Sequence, residues 1–171
     1  HSSGWQWRIP LQSRTGNGLV YSSRFCSDDD ARATLLGNIT GKTIIEPRLL
    51  RFKTGRRINA WHKNCVAIGL SSGFIEPLES TSRHLIHTAL VRLMKLFPFS
   101  GAMAPLAERF NRETRIEWEA VRDFIILHYK QTQRDDSDFW NFYRTMDIPD
   151  SLAHRIEIFK ENGYVWPDLA N

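Results

Sequence analysis

Glu79, Thr81 and Ser82 are the residues of this 171-residue chain whose types and spacing best suit chemistry. Glu79 stands just ahead of Ser80-Thr81-Ser82, where apolar residues begin to recur at helical spacing: Leu85, Ile86, Ala89, Leu90, Leu93, Met94 and Phe97. The pattern predicts a helix from about Ser80 to Phe97. The first backbone N–H groups of a helix lack intrahelical partners. Those donors and the helix dipole point at the same spot, which suits an anion. A carboxylate beside an anion site, after a strand and a loop, is an active-site arrangement. Taken alone, the same residues also suit plain helix-end chemistry, with a carboxylate there contributing about 0.3–1 kcal/mol.

The elements that must position these residues come before them. Val66 to Leu70 reads as a short buried strand, followed by a loop through Gly73 and by Pro77. Trp5 to Leu11 alternates in bulky residues and Leu19 to Phe25 returns, with Thr15-Gly16-Asn17-Gly18 as the turn of a hairpin. Ser27 caps a helix that ends by Gly37. Ile44 to Lys53 is strand-like, although Pro47 weakens its first half. Beyond Phe97-Pro98 the spacing turns helical. One long helix or two with a bend cover Met103 to about Gln131, a short helix Phe139 to Thr145, and a last one Leu152 to Glu161. Strands dominate before Ser80 and helices after it, so the expected class is α+β.

Composition narrows the field. The charged and apolar fractions are those of a globular protein, and no run is apolar and long enough to span a bilayer. The two cysteines, Cys26 and Cys65, are too few for a disulfide framework and fit a reduced, cytoplasmic setting. The net charge of +4 raises nucleic acid as a partner. The densest basic cluster, Arg51, Lys53, Arg56, Arg57 and Lys63, lacks the aromatic interleaving of base-stacking surfaces and reads as a solvated face. His84 and His87 lie three apart without a third ligand in suitable spacing, so no metal is expected.

Several segments carry a resemblance. Gly4-Trp5-Gln6-Trp7-Arg8-Ile9-Pro10 looks like W-x-W-x-I-P, and Trp5, Trp7 and Pro10 are its markers. Gly18 to Ser23, Pro47 to Phe52, the Gly69-to-Ser82 loop and Asp135-Asp136-Ser137-Asp138-Phe139-Trp140 follow in order. Together they resemble the flavin-dependent tryptophan halogenases over nearly the whole chain. The chain opens His1-Ser2-Ser3 and holds no G-x-G-x-x-G after a strand. The resemblance therefore implies the carboxy-terminal part of an FAD-dependent monooxygenase-like α/β fold. Residues 1–97 would complete the FAD- and halide-binding domain, and 98–171 would form a helical substrate-side region. The amino-terminal dinucleotide-binding part and a catalytic lysine would lie upstream, so the segment alone is expected to be inactive.

By resemblance, Glu79 is the catalytic glutamate, which positions the chlorinating species or takes the proton of the halogenated ring. Thr81 and Ser82 form the halide site; the second position is commonly glycine in the family, which leaves chloride against bromide open. Leu70, Ser71 and Gly73 lie along FAD. Trp5 and Trp7 line the passage between flavin and substrate. His128, Tyr129, Asp135, Phe139 and Trp140 form the substrate wall, the last two stacking on indole. Asp135 replaces a glutamate of tryptophan-specific members and His128 an aromatic residue, so the substrate is an indole or tryptophan-like compound. A separate flavin reductase would supply reduced FAD, chloride or bromide would be the halide, and a homodimer is left open. Two other readings remain: a flavin monooxygenase-like protein without halide use, and a non-catalytic module binding an aromatic ligand.

Overall fold

In the computed structural model, residues 1–99, 101 and 103–164 are described. They form a mixed α+β structure with few and short strands. Two compact units divide the described residues: His1–Arg51 with Tyr129–Asp147, and Phe52–His128 with the described residues from Ile148 onward.

The first unit begins with an antiparallel hairpin of β1 (Gly4–Pro10) and β2 (Thr15–Tyr21). The expected hairpin is present, but its turn is not at Thr15-Gly16-Asn17-Gly18. Those residues are the first half of β2, and the chain reverses at Leu11–Arg14, where the Leu11 N–H donates to the Arg14 carbonyl at 2.8 Å. Gly18 lies opposite Trp7, and a Cβ on it would fall inside the Trp7 indole. The glycine serves close approach of a ring rather than a turn.

Helix α1 (Asp28–Gly37) starts as expected, with the Ser27 hydroxyl accepting from the Asp30 N–H at 3.1 Å. The same unit carries α4 (Asp138–Thr145), capped by Ser137. Tyr129, Phe139, Trp140 and Tyr143 pack there as an aromatic cluster, with Phe25 and Phe142 against it.

The second unit holds three further helices: α2 (Thr81–Lys95), α3 (Met103–Lys130, whose last two residues belong to the first unit) and α5 (Asp150–Asn162). The 3.6-residue periodicity anticipated all of them. The helix expected to reach Phe97 stops at Lys95, because Pro98 drives Phe97 out of the helical region. Gly163, at φ 69°, closes α5.

The expected strand Val66–Leu70 is not found. Its place is taken by β5 (Cys65–Val66), which pairs only with β4 (Trp61–His62), and by one 3₁₀ turn at Gly69–Ser71. A second two-residue ladder joins β3 (Gly55–Arg56) to β6 (Gly73–Phe74). Ile44 to Lys53, also expected as a strand, has no regular structure and lies exposed except at Pro47. Strand-forming residues supply side chains for a sheet, but a strand needs a neighbour to pair with.

The core of the second unit is Ala60, Trp61, Ala89 and Phe110, with Val66, Ile68, Leu93, Leu96, Leu106 and Ala107 around it. Asn111 on α3 stands in for a sheet neighbour: its side-chain oxygen accepts from the Trp61 N–H at 2.8 Å, and its NH₂ donates to the Trp61 carbonyl at 2.9 Å. Arg92 on α2 crosses to α3 through Glu113, Thr114 and Glu117 at 3.0–3.1 Å. Asp123, 1% exposed, accepts from Arg122 at 2.7 and 2.9 Å and from the Ser151 hydroxyl at 2.6 Å, which joins α3 to the start of α5.

Candidate active site

Glu79 and Ser80 depart from the sequence expectation in their backbone. Both are in the left-handed region, at φ 56° and ψ 25° and at φ 58° and ψ 24°. Neither is glycine, and such residues cost about 1–3 kcal/mol each unless their surroundings over-determine them. The anchors on both sides are visible. Ile75 is buried before the pair, and Thr81 and Leu85 are buried after it. The Thr81 N–H and hydroxyl both donate to the Leu78 carbonyl, the hydroxyl at 3.2 Å. The strained turn leaves the Glu79 side chain exposed immediately before the amino end of α2.

Thr81 and Ser82 are therefore unlike each other. Thr81 is buried, with both donors turned back onto its own turn. Ser82 is half-buried, and among the described residues its hydroxyl has no hydrogen-bond partner. Its N–H is among those that the geometry of a helix start leaves without an intrahelical acceptor. An anion at this helix end has Ser82 as its freest donor.

Ser82 also lines a concavity of about 120 Å³ with Gly69, Leu70, Gly73, Leu85, Ile86 and Trp118. The loop that frames it is held from behind. The Ser71 hydroxyl donates to the Ile68 carbonyl at 2.9 Å and accepts the Ile68 N–H at 3.1 Å, and the Arg57 side chain donates to the Ser71 carbonyl at 2.5 Å. Gly69 has a positive φ of 68° and sits over Ile86. Gly73 is pressed so closely by Gly55, Arg56 and Trp118 that a Cβ there would collide with all three. Leu70, 76% exposed, projects from the rim. An exposed apolar rim, bare backbone and an apolar floor fit one edge of a flat ring system such as a flavin. The volume is well below the ~300–1,000 Å³ of a pocket that encloses such a ligand. Of the three residues expected along FAD, Leu70 and Gly73 line this concavity, which could hold an edge of the flavin and not the whole of it, whereas Ser71 is not in its lining and braces the loop from behind.

Sequence reasoning passed over Trp118. The signal was present: Phe110, Thr114, Trp118, Val121 and Ile125 recur at helical spacing, and all five are buried. His84 gives Nε2 to Glu117 at 3.1 Å. Among the described residues no group of three His, Cys, Asp or Glu is placed to hold a metal ion.

The expected substrate residues divide. In the first unit, Tyr129 takes the Trp5 indole N–H at 3.0 Å, stacks on Trp140 at 6.0 Å and meets Tyr143 at 5.1 Å. Phe139 packs edge-on to Trp140 at 4.8 Å and to Tyr143 at 4.7 Å. Phe139 is 3% and Trp140 8% exposed, so little of either ring reaches the surface. Arg134 lies 4.8 Å from the Trp140 ring centre and is clamped by Asp136 at 2.6 and 2.8 Å. That ion pair holds the Asp136 carboxyl below its ordinary range. Asp135 is exposed, and its carbonyl accepts from Asn141 at 3.2 Å. Of the motif residues, Trp5 and Trp7 are half-buried and Pro10 is exposed at the strand end. In the second unit, His128 is exposed, with Nδ1 2.8 Å from the Phe124 carbonyl and its ring edge-on to Phe124 at 4.5 Å.

Comparison with known proteins adds what geometry cannot. The family model described as tryptophan halogenase matches residues 1–171. A tryptophan 6-halogenase of Streptomyces toxytricini is 41% identical over 159 residues, 92% of this chain and 30% of that protein. A tryptophan 7-halogenase of Lentzea aerocolonigenes is 39% identical over 160 residues, with the same shares covered. Among solved structures, a flavin-dependent halogenase from Brevundimonas sp. BAL3 superposes with a TM-score of 0.95 at 51% identity, covering 99% of this chain and 34% of that one. The chain spans about a third of the length of the proteins it matches. No described helix is long and apolar enough to cross a membrane. With a match over its full length, this chain belongs to the tryptophan halogenase family.

Proposed function

We propose that this chain supplies the glutamate, the halide cradle and part of the flavin contact of an FADH₂-dependent halogenase acting on an indole or tryptophan-like ring. The observation that carries the reading is the left-handed pair Glu79-Ser80 at the start of α2. Strain of this kind clusters at functional sites, and here it places an exposed carboxylate three residues before a free serine hydroxyl. Bound reduced FAD would supply the electrons that activate O₂ for halide oxidation. The overall balance is aromatic C–H, halide, H⁺, O₂ and FADH₂ giving the aryl halide, FAD and two waters.

In this reading Thr81 and Ser82 form the cradle. Ser82 donates to chloride or bromide, and Thr81 fixes the turn that presents it. Leu70 and Gly73 hold an edge of the flavin, and Ser71 braces their loop. Glu79 orients the electrophilic halogen and then accepts the ring proton as aromaticity returns, which is general-base work for a carboxylate. Tyr129, Phe139 and Trp140 back the aromatic wall, while Asp135 and His128 meet the polar end of the substrate. Residues 1–97 complete the flavin and halide side, and 98–171 the substrate side. A separate reductase delivers the flavin in the cytoplasm, where Cys26 and Cys65, both free, stay reduced.

A second reading, flavin-dependent oxygenation without halide use, has one observation in its favour. Both Thr81 donors are spent on Leu78, which reduces the cradle to Ser82. One experiment separates the two. The protein at its relatives' full length is assayed with FAD, a flavin reductase, NADH and chloride or bromide, with mass spectrometry on an indole panel. Halogenated product that disappears in Glu79→Gln while flavin stays bound supports halogenation. Oxygenated product formed equally without halide supports the second reading.

A further inference from the structure

The two tryptophans of the hairpin are put to different uses. Trp5 and Trp7 lie two apart on β1, so their side chains leave the same face. Trp7 lies against Gly16 and Gly18 of the partner strand. Trp5 reaches out of the hairpin, and its indole N–H donates to the Tyr129 hydroxyl at 3.0 Å. Tyr129 is the middle of the aromatic cluster: its ring centre lies 6.0 Å from that of Trp140, 6.2 Å from Phe139 and 5.1 Å from Tyr143. A second bond runs between the same two parts, from the Trp140 indole N–H to the His1 carbonyl at 2.8 Å. The hairpin end that makes both bonds is itself fixed. The Ser22 N–H donates to the Ser3 carbonyl at 3.2 Å, Ser3 and Gly4 are buried, and a Cβ on Gly4 would strike the Val20 carbonyl.

We propose that Trp5 is a positioning residue for the aromatic substrate, acting through Tyr129. Aromatic rings in contact are held by shallow attractions that let them slide and tilt. A hydrogen bond is directional, so the Trp5 N–H fixes where the Tyr129 ring stands. Tyr129 in turn sets Trp140, which stacks on it with 24° between the ring planes and carries Arg134 over its ring at 4.8 Å. A ring that must lie against an indole loses its fit when it shifts by about 1 Å, and Trp5 is the residue that holds this one from behind.

The inference rests on the reading of Tyr129, Phe139 and Trp140 as the wall beside an indole or tryptophan-like ring. It gives the first tryptophan of W-x-W-x-I-P a task other than lining a passage between flavin and substrate. The two tasks leave different traces. A residue that props the wall acts on how tightly the substrate is held. A residue that lines a passage acts on whether oxidising equivalents reach the substrate, which is read as hydrogen peroxide released per NADH consumed.

Equilibrium binding of indole and L-tryptophan, measured by calorimetry in the protein at its relatives' full length with FAD bound, tests the proposal. Trp5→Phe should weaken binding by about 3- to 10-fold, the range that one hydrogen bond spans. Tyr129→Phe removes the acceptor, and in that background Trp5→Phe should weaken binding no further, since the two residues act as one unit. In turnover, Trp5→Phe should raise KM by the same factor with the peroxide yield unchanged. Benzothienylalanine at position 5 keeps the indole shape without its N–H, and it carries the same test where Trp5→Phe does not fold. Three results would overturn the proposal: binding by Trp5→Phe as tight as by the parent, losses that add in the double variant, or no binding of either compound by the parent. The reaction can fail separately. A parent that binds indole with Trp5 and Tyr129 coupled but forms no halogenated product removes the halogenation reading and leaves the positioning role standing. Halogenated product with additive losses does the reverse.

Discussion

Ser82 and Glu79 divide the proposed work at the scale of single residues, and the geometry around them makes the division testable. Glu79→Gln keeps the shape and removes the base, so the halogenation rate should fall by at least about 100-fold, read by single-turnover product analysis with flavin binding unchanged. Thr81 and Ser82 should respond differently. Thr81→Val loses the hydroxyl bond to the Leu78 carbonyl, which costs about 0.5–1.5 kcal/mol of stability, measured by urea unfolding, while halide affinity holds. Ser82→Ala should raise the halide concentration needed for half-maximal rate and leave stability alone. Tyr21 provides a pH test of the fold. Its burial, and then its hydrogen bond to Asp28, push the phenol from an ordinary value near 10 up to about 12. The folded form therefore holds the proton more tightly, so this contribution is complete below pH 10 and is lost as pH rises through 12. Alkaline melting curves of the parent and Tyr21→Phe should diverge below that window and converge above it.

Helices were legible at the scale of elements, and pairing was not. The runs Leu85 to Phe97 and Leu106 to Leu127 showed their period directly, because a helix satisfies its own backbone and needs only an apolar face. Strands depend on a partner, and sequence does not name the partner. Val66–Leu70 and Ile44–Lys53 have strand-like residues but obtain a two-residue ladder and none at all. The hairpin was visible in its alternation, yet its turn was misplaced. Gly16 and Gly18 carry a turn composition and are used to admit the Trp7 ring. Gly18→Ala should therefore cost about 1–3 kcal/mol by overpacking and shift the Trp7 near-ultraviolet signal, although a turn glycine would show no ring effect. The left-handed pair had no signature either, since Glu79 and Ser80 are ordinary residues forced into a conformation that glycine favours. Asn111 illustrates what tertiary structure adds. As a polar residue on a helix it looks unremarkable in sequence, yet it holds both backbone groups of Trp61. Asn111→Ala leaves both unpaired beside the core and should cost about 1–3 kcal/mol in chemical denaturation.

At the scale of the molecule, two units contribute different materials. One carries the strained glutamate, the serine with a free hydroxyl and the concavity beside Gly69, Leu70 and Gly73, and the other an aromatic cluster tied to the hairpin through Trp5 and Tyr129. About a third of the length of the proteins it matches is present in this chain, and in the proposed function that third supplies the halide cradle with its carboxylate. The most direct test is therefore to see the halide. Crystals of the protein at its relatives' full length, grown with flavin and soaked in bromide, should show an anomalous bromine peak within hydrogen-bonding distance of the Ser82 N–H and hydroxyl. That peak should vanish or weaken in Ser82→Pro, which removes both donors. Bromide bound elsewhere beside the flavin, with the start of α2 empty in an enzyme that still halogenates, would contradict the account.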